Sequence, residues 1–242
     1  MADTTGISDQ ISYYDNRWDE FTYANLFCLE RCSFFLKALL DTGISAPRIC
    51  DLGSGSGWLT GIMSSFGPSL GVELSPAAVL LARRKYPLAE FVAADATQWK
   101  PEPGSFDLVV SQEVIEHIVD KAAYLSIART ALRVGGYLLM TTPNLRVLDA
   151  VPTEERKSIW EIQPVELPLY RAQLVKLLTD AGFEIVATSS VVDGLGRSGI
   201  HRLVNSSKLR VVLGWLGLAQ LWRRMLLDND FGMYMTTVAR AK

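Results

Sequence analysis

The segment Asp51-Leu52-Gly53-Ser54-Gly55-Ser56-Gly57 constrains this chain more than any other. It follows a short apolar run, Arg48–Leu52, and precedes Trp58–Phe66, whose apolar residues have helical spacing. In a strand–glycine loop–helix unit the backbone turns tightly and a ligand can approach it closely. A second apolar run, Ser69–Glu73, ends on a carboxylate twenty residues beyond Gly53. A carboxyl group at that place can accept hydrogen bonds from both hydroxyls of a ribose. The pattern therefore predicts a nucleoside-bearing ligand across the ends of parallel strands.

Two details separate this loop from a dinucleotide site. The dinucleotide fingerprint wants glycine or alanine where this chain has Trp58. Asp51 also stands directly before the loop, where an anionic pyrophosphate would be repelled. A ligand carrying an ammonium and a sulfonium, as S-adenosylmethionine does, would be attracted. The alternative role for Asp51 is to brace the loop. Asp95-Ala96, just past a third apolar run (Glu90–Ala93), can meet an adenine amino group, with Ala96 offering a backbone N–H; a solvated loop aspartate is the other reading.

The same alternation continues along the chain. Phe106–Ser111 reads as a buried strand and Asp120–Leu132 as a helix. Gly135-Gly136 turns into the strand Tyr137–Thr142, which Pro143 stops. Arg171–Ala181 is helical, Phe183–Val192 a strand, Ser206–Leu227 helical and Met233–Ala239 a last strand. Strands alternating with helices predict a doubly wound α/β fold, a mostly parallel sheet covered on both faces. With 242 residues and no linker or repeat, one domain is expected over 1–242. Within it, 1–44 forms an N-terminal helical lid, 45–192 the cofactor-binding core, and 193–230 a helical insertion covering the acceptor side.

Composition narrows the function classes. The net charge of −2 leaves no electrostatic footprint for nucleic acid, so a nucleic-acid partner is not expected. The polar N-terminus lacks a signal-like apolar core, Cys28, Cys32 and Cys50 form no metal framework, and Cys28 and Cys32, four apart on one helix face, need not pair. A cytoplasmic protein with reduced thiols is the expectation. The longest apolar stretch, Val211–Trp222, is too short to span a bilayer. It reads as a core or lid helix, or as a surface meeting a lipid or lipid-linked substrate.

DLGSGSG, the acid in GVELSP, the AADA segment, FDLVVSQEVIEHI and LRVGGYLLMTTPN occur in one order and spacing. Together, across roughly 45–190, they resemble class I S-adenosylmethionine-dependent methyltransferases. The resemblance implies a Rossmann-like seven-stranded sheet with an antiparallel last strand. It implies an enzyme that uses S-adenosyl-L-methionine, with Asp51, Gly53, Gly55, Glu73, Asp95, Ala96 and Gln112 lining the cofactor. Ser54, Gly57 and Leu74 belong to the same expected wall. N-terminal segments in this family fold over the cofactor, which makes Tyr14 and Trp18 lid candidates; ordinary helix packing is the alternative.

A second motif, Gln112-Glu113-Val114-Ile115-Glu116-His117, leaves the end of a strand where the methyl group should lie. Spacings of three and four put Glu113, Glu116 and His117 on one face if the segment is helical. Methyl transfer needs the acceptor positioned and its proton removed. His117 is the candidate base, with Glu116 or Glu113 orienting it. A rival is a divalent metal on the same three side chains. E-x-x-E-H resembles the metal-binding segment of ubiquinone-biosynthesis O-methyltransferases and of small-RNA 2′-O-methyltransferases. The RNA enzymes complete that site with a later histidine, whereas this chain has Glu161-Ile-Gln163-Pro-Val-Glu166 there, so no resident metal is expected. A purely structural role, capping a helix and holding the loop, is the third reading.

The acceptor is less legible. His201, near Gly194, Gly196 and Gly199, is either a second catalytic imidazole or a loop histidine. The pattern resembles small-molecule methyltransferases acting on sugars, quinones or phenols, or secondary metabolites, and favours an oxygen acceptor. A non-catalytic cofactor-binding module and an RNA 2′-O-methyltransferase are the alternatives. A homodimer is compatible with everything above.

Overall fold

The computed structural model describes residues 6–17, 26–152, 163–194, 199–204 and 206–242. Seven strands form one sheet: β1 (Ile49–Leu52), β2 (Ser69–Glu73), β3 (Glu90–Ala93), β4 (Phe106–Gln112), β5 (Leu132–Pro143), β6 (Phe183–Asp193) and β7 (Gly232–Ala241). Their spatial order is β3-β2-β1-β4-β5-β7-β6. The first five pair in parallel, and β7 runs antiparallel to both β5 and β6. The expected doubly wound sheet with an antiparallel last strand is the observed architecture.

The apolar strand runs are explained by burial on both faces. Val109, with Cys50, Leu52, Leu138 and Met140, packs on the side of α5 (Lys121–Ala131) and α7 (Arg171–Asp180), against Tyr124, Leu125, Leu174 and Leu178. Leu108 and Val110 alternate to the other side. There they meet α2 (Leu26–Thr42) and α3 (Trp58–Met63) through Phe35, Leu39, Leu59 and Met63. A smaller cluster joins α4 (Pro76–Lys85) to Phe91 of β3. Ser75 caps α4 by accepting from the Ala78 amide, with Pro76 at its first position, where its fixed φ suits a helix start. Asp120 caps α5 in the same way, through the Ala123 amide.

Three expected elements differ. The segment Ile115–His117 is a single 3-10 turn, not a helix. The expected Ser206–Leu227 helix is two, α9 (Ser207–Trp215) and α10 (Ala219–Asp228), which follow a short α8 (Gly199–Val204). Gly217, at φ +70°, breaks it, because a positive φ cannot continue a right-handed helix. β5 begins at Leu132 and runs through Gly135 and Gly136, where the sequence predicts a turn; ahead of α2 lies the helix α1 (Ile7–Arg17).

The junction between β5 and the β6–β7 connection rests on one side chain. Asn144, fully buried, caps α6 (Leu145–Asp149) through Oδ1. Its Nδ2 donates to the backbone oxygens of Asp230 (3.1 Å) and Gly232 (3.0 Å) and to Asp230 Oδ1 (3.0 Å). Asp230 also pairs with Arg171 of α7 at 2.8 Å. Asn144→Ala leaves these acceptors short of a donor in a buried place, which should cost about 1–3 kcal/mol. Urea unfolding should show a lower midpoint with an unchanged m-value; an unchanged midpoint would contradict this role for Asn144.

Candidate active site

The strand order reverses between β1 and β4, so helices leave the sheet to opposite sides and a crevice opens at the carboxyl ends. A cavity of about 650 Å³ lies there. Its wall includes Asp51, Gly53, Ser54 and Gly55 of the loop, and Glu73 and Leu74 at the end of β2. Asp95, Ala96 and Gln112 complete the part expected to face a cofactor, and Tyr14 of α1 also contributes. Gly57 does not line it. Gly57 starts α3 at φ +80°, and a Cβ there would stand 2.6 Å from the Ala82 Cβ and 2.7 Å from the Phe91 ring. Its hydrogen side chain serves helix–strand packing behind the loop. Gly53 has a related reason: at φ +91°, a Cβ would meet a Val114 methyl at 2.5 Å. Trp18 lies outside the described residues.

The carboxyl groups are deeply buried and held by the elements around them. Glu73, 7% exposed, accepts from the Gly55 amide (2.8 Å) and the Ser75 amide (2.9 Å), so it ties the glycine loop to the start of α4. Burial raises its pKa against those hydrogen bonds. Asp51, 2% exposed, accepts one bond from the Thr60 hydroxyl of α3 at 2.6 Å. Burial pushes it up to about 7. Asp51 braces the loop against α3 and also faces the cavity. Asp95 uses Oδ1 to accept from the Thr97 amide and hydroxyl at 2.7 and 2.8 Å, an Asx-type turn that fixes the carboxyl at the cavity edge. Gln112 Oε1 is buried and has no hydrogen-bond partner among the described residues.

Glu113, Glu116 and His117 all reach the cavity wall. Glu113 begins the turn with φ +55°, a left-handed conformation that a non-glycine residue holds at a cost of about 1–3 kcal/mol. Glu116 is fully buried and accepts from the Thr142 hydroxyl at 2.9 Å. Burial holds both carboxyls well above the ordinary range, with the charge of Glu116 adding to it at Glu113 and that of Glu166 at Glu116. His117 places Nδ1 2.8 Å from the Val165 carbonyl. A carbonyl can only accept, so Nδ1 carries the proton and Nε2 is the basic nitrogen of the neutral ring. Burial lowers the His117 pKa and favours that neutral form. Glu116 Oε1 lies 3.7 Å from Nε2 and Glu166 Oε1 3.5 Å from Nδ1. Among the described residues, no three His, Cys, Asp or Glu side chains are grouped as a metal ion requires.

The cavity also contains residues that sequence reasoning missed. Arg31, 8% exposed, comes from α2 and stands 4.4 Å from the centre of the Tyr234 ring. Burial works against its charge, but Glu113, Tyr234 and Cys28 raise its pKa on balance. An arginine inside the apolar stretch 26–40 was the available signal. Gln163 accepts from the Tyr14 hydroxyl at 2.9 Å and joins α1 to the far wall. Asp15 fastens α1 to the start of α4, accepting from the Ser75 hydroxyl and, at 3.3 Å, from the Ala77 amide. His201, by contrast, lies against Phe231 with ring centres 4.9 Å apart and is not part of the cavity wall. It is a packed imidazole behind the site rather than a second catalytic one.

The family model "Methyltransferase domain" matches residues 23–188. A probable S-adenosylmethionine-dependent methyltransferase of Mycolicibacterium smegmatis is 28% identical over 149 residues, covering 61% of this chain and 56% of the relative. The ubiquinone biosynthesis O-methyltransferase of Pseudomonas aeruginosa is 30% identical over 109 residues, covering 42% of this chain and 47% of the relative. The chain thus spans about half the length of the curated relatives it matches. The S-adenosylmethionine-dependent methyltransferase of Mesorhizobium loti superposes with a TM-score of 0.60 at 20% identity, over 84% of this chain and 96% of that one. Loop, strand order and family match converge: this chain belongs to the class I S-adenosylmethionine-dependent methyltransferases.

Proposed function

We propose that this protein is an enzyme that methylates a small-molecule acceptor at a hydroxyl oxygen, with His117 as the base and S-adenosylmethionine as the donor. The observation that carries the reading is the fixed His117 ring, whose Nδ1 is committed to the Val165 carbonyl beside a cavity whose wall includes Asp51, Glu73, Glu113 and Glu116. The wall residues fit the donor's parts. Asp51 and Glu73 are buried carboxyls with unused acceptor capacity, matched to an ammonium and to a ribose diol. Gln112 contributes an amide oxygen still lacking a donor. When bound, S-adenosylmethionine supplies a methyl group on a good leaving group, the sulfonium.

The chain's own task is then orientation and one proton. Nε2 of His117 accepts the acceptor's hydroxyl proton, and the imidazolium so formed has Glu116 and Glu166 carboxyls within 3.7 and 3.5 Å. A base of this kind contributes about 10²–10⁴-fold, and correct placement contributes more. Sugars, quinones or phenols and hydroxylated secondary metabolites are the acceptor classes to screen. Similarity to the ubiquinone biosynthesis O-methyltransferase of Pseudomonas aeruginosa supports oxygen over nitrogen. Metal assistance finds less support in the geometry, since the 3-10 turn points Glu116 at Thr142. Full activity in a chelator would remove it.

His117→Ala should lower kcat by at least about 10²-fold while leaving the calorimetric affinity for S-adenosylhomocysteine within a small factor. Equal loss of affinity, or an unchanged kcat, would return His117 to a structural role. Glu73→Ala should weaken S-adenosylmethionine binding and also loosen the loop, since the Gly55 and Ser75 amides lose their acceptor. Tight binding of NAD with no response to either adenosyl compound would overturn the donor assignment.

Asp51 adds a pH dependence with a definite sign. Its folded pKa is raised from 3.8 to about 7, so its contribution favours the fold below about pH 4 and is lost as pH rises through 7. Asp51→Asn removes that penalty and keeps an acceptor for Thr60. The variant should therefore melt above the parent at about pH 8 and close to it at about pH 4. The same variant should bind the cationic donor less tightly. Parallel melting curves at both pH values would contradict the buried, cavity-facing carboxyl.

A further inference from the structure

We propose that the hairpin of α9 and α10 docks on an anionic lipid surface, with Trp215, Leu216 and Leu218 at the turn entering the boundary between headgroups and acyl chains. Trp215 is 88% exposed, Leu216 64% and Leu221 67%, and Val211, Val212 and Met225 are about half exposed or more. A contiguous apolar face of this kind is uncommon on a protein that meets only water. Tryptophan at its tip suits a site where one edge is apolar and the other wet.

The exposure is a property of an anchored element. The opposite face of α10 is fastened to β6: the Ser190 hydroxyl donates to the Leu227 carbonyl at 2.6 Å, and Arg223 pairs with Asp193 at 2.8 Å. Leu226 and Leu227 are half-buried there, whereas Leu221 and Met225, one turn apart, face outward. Helices of nine and ten residues are too short to cross a bilayer and fit the plane of its interface.

Charge selects the partner. The hairpin, residues 206–228, includes Lys208, Arg210, Arg223 and Arg224 against a single acid, Asp228, in a chain whose net charge is −2. Arg223 is engaged by Glu30 and Asp193, and Arg224 reaches Asp228 at 3.8 Å, while Lys208 is exposed. A basic segment beside an apolar face favours anionic headgroups.

Flotation with the full chain tests this without any use of methyl transfer, so its outcome is independent of the catalytic reading. The parent should float with vesicles of mixed phosphatidylcholine and phosphatidylglycerol, and at least about tenfold more weakly with pure phosphatidylcholine or in high salt. The triple variant W215S/L216S/L221S should lose flotation while keeping the parent's circular dichroism. K208E/R224E, which spares the apolar face, should lose the preference for phosphatidylglycerol. Failure of the folded parent to float with anionic vesicles would overturn the proposal. So would a dimer in sedimentation velocity that W215S dissolves while flotation is absent.

Discussion

Carboxyl groups taken out of water are expensive, and this fold gathers Asp51, Glu73, Glu113 and Glu116 at one end of one sheet. An unpaired buried charge costs several kcal/mol even after relaxation. The surrounding structure is shaped by the need to offset that cost. The glycine loop turns so that the Gly55 amide reaches Glu73, α3 starts where Thr60 can reach Asp51, and β5 ends where Thr142 reaches Glu116. Each of these bonds lowers the penalty without removing it, since the pKa values of all four groups stay raised. What remains is an end of the sheet that favours either protons or a cationic ligand.

The topology makes this concentration possible. β1 sits between β2 and β4, so the residues leaving three adjacent strands face one crevice. The antiparallel β7 then fills the place beside β5, and the β6–β7 connection has to travel outside the sheet. Asn144 and Asp230 close that route at its inner end. The N-terminal helix closes the opposite side, fastened by Asp15 to the start of α4 and by Tyr14 to Gln163. Burial raises the Tyr14 pKa, so the phenol stays a neutral donor in that contact.

Features that repeat with a period, or that depend on near neighbours, were legible in the sequence. The apolar strand runs, the Ser75-Pro76 helix start and the acid at the end of β2 all belong to that class. Features set by distant partners were not. Nothing near Gly57 announces that Ala82 and Phe91 occupy the space behind it, so a packing glycine looked like a ligand-facing one. The E-x-x-E-H spacing allowed a helical face, but Glu113 at φ +55° and the Val165 carbonyl impose a 3-10 turn. Arg31 joins the cavity only because α2 crosses near Tyr234, more than two hundred residues away in sequence. His201 lay in a glycine-rich stretch that resembled a mobile cover, and Phe231 packs it instead.

The two covering parts, α2 and the β6–β7 hairpin, meet through Arg223 and Glu30 at 2.6 Å. That contact links a helix carrying Arg31 of the cavity to the exposed apolar face, yet its side chains are 38% and 43% exposed. An ion pair so open to solvent is worth about 0–1 kcal/mol, less than the burial of one leucine side chain at about 1.5–3 kcal/mol. The hairpin is therefore seated on β6 by the half-buried Leu226 and Leu227, the Ser190–Leu227 bond and the Arg223–Asp193 pair, and the Glu30 contact adds a link to α2. The site end of α2 is fixed separately, through the buried Arg31 and Cys28 beside Tyr234. The hairpin and the site end of α2 are thus held by different contacts, with the solvent-exposed Arg223–Glu30 pair between them.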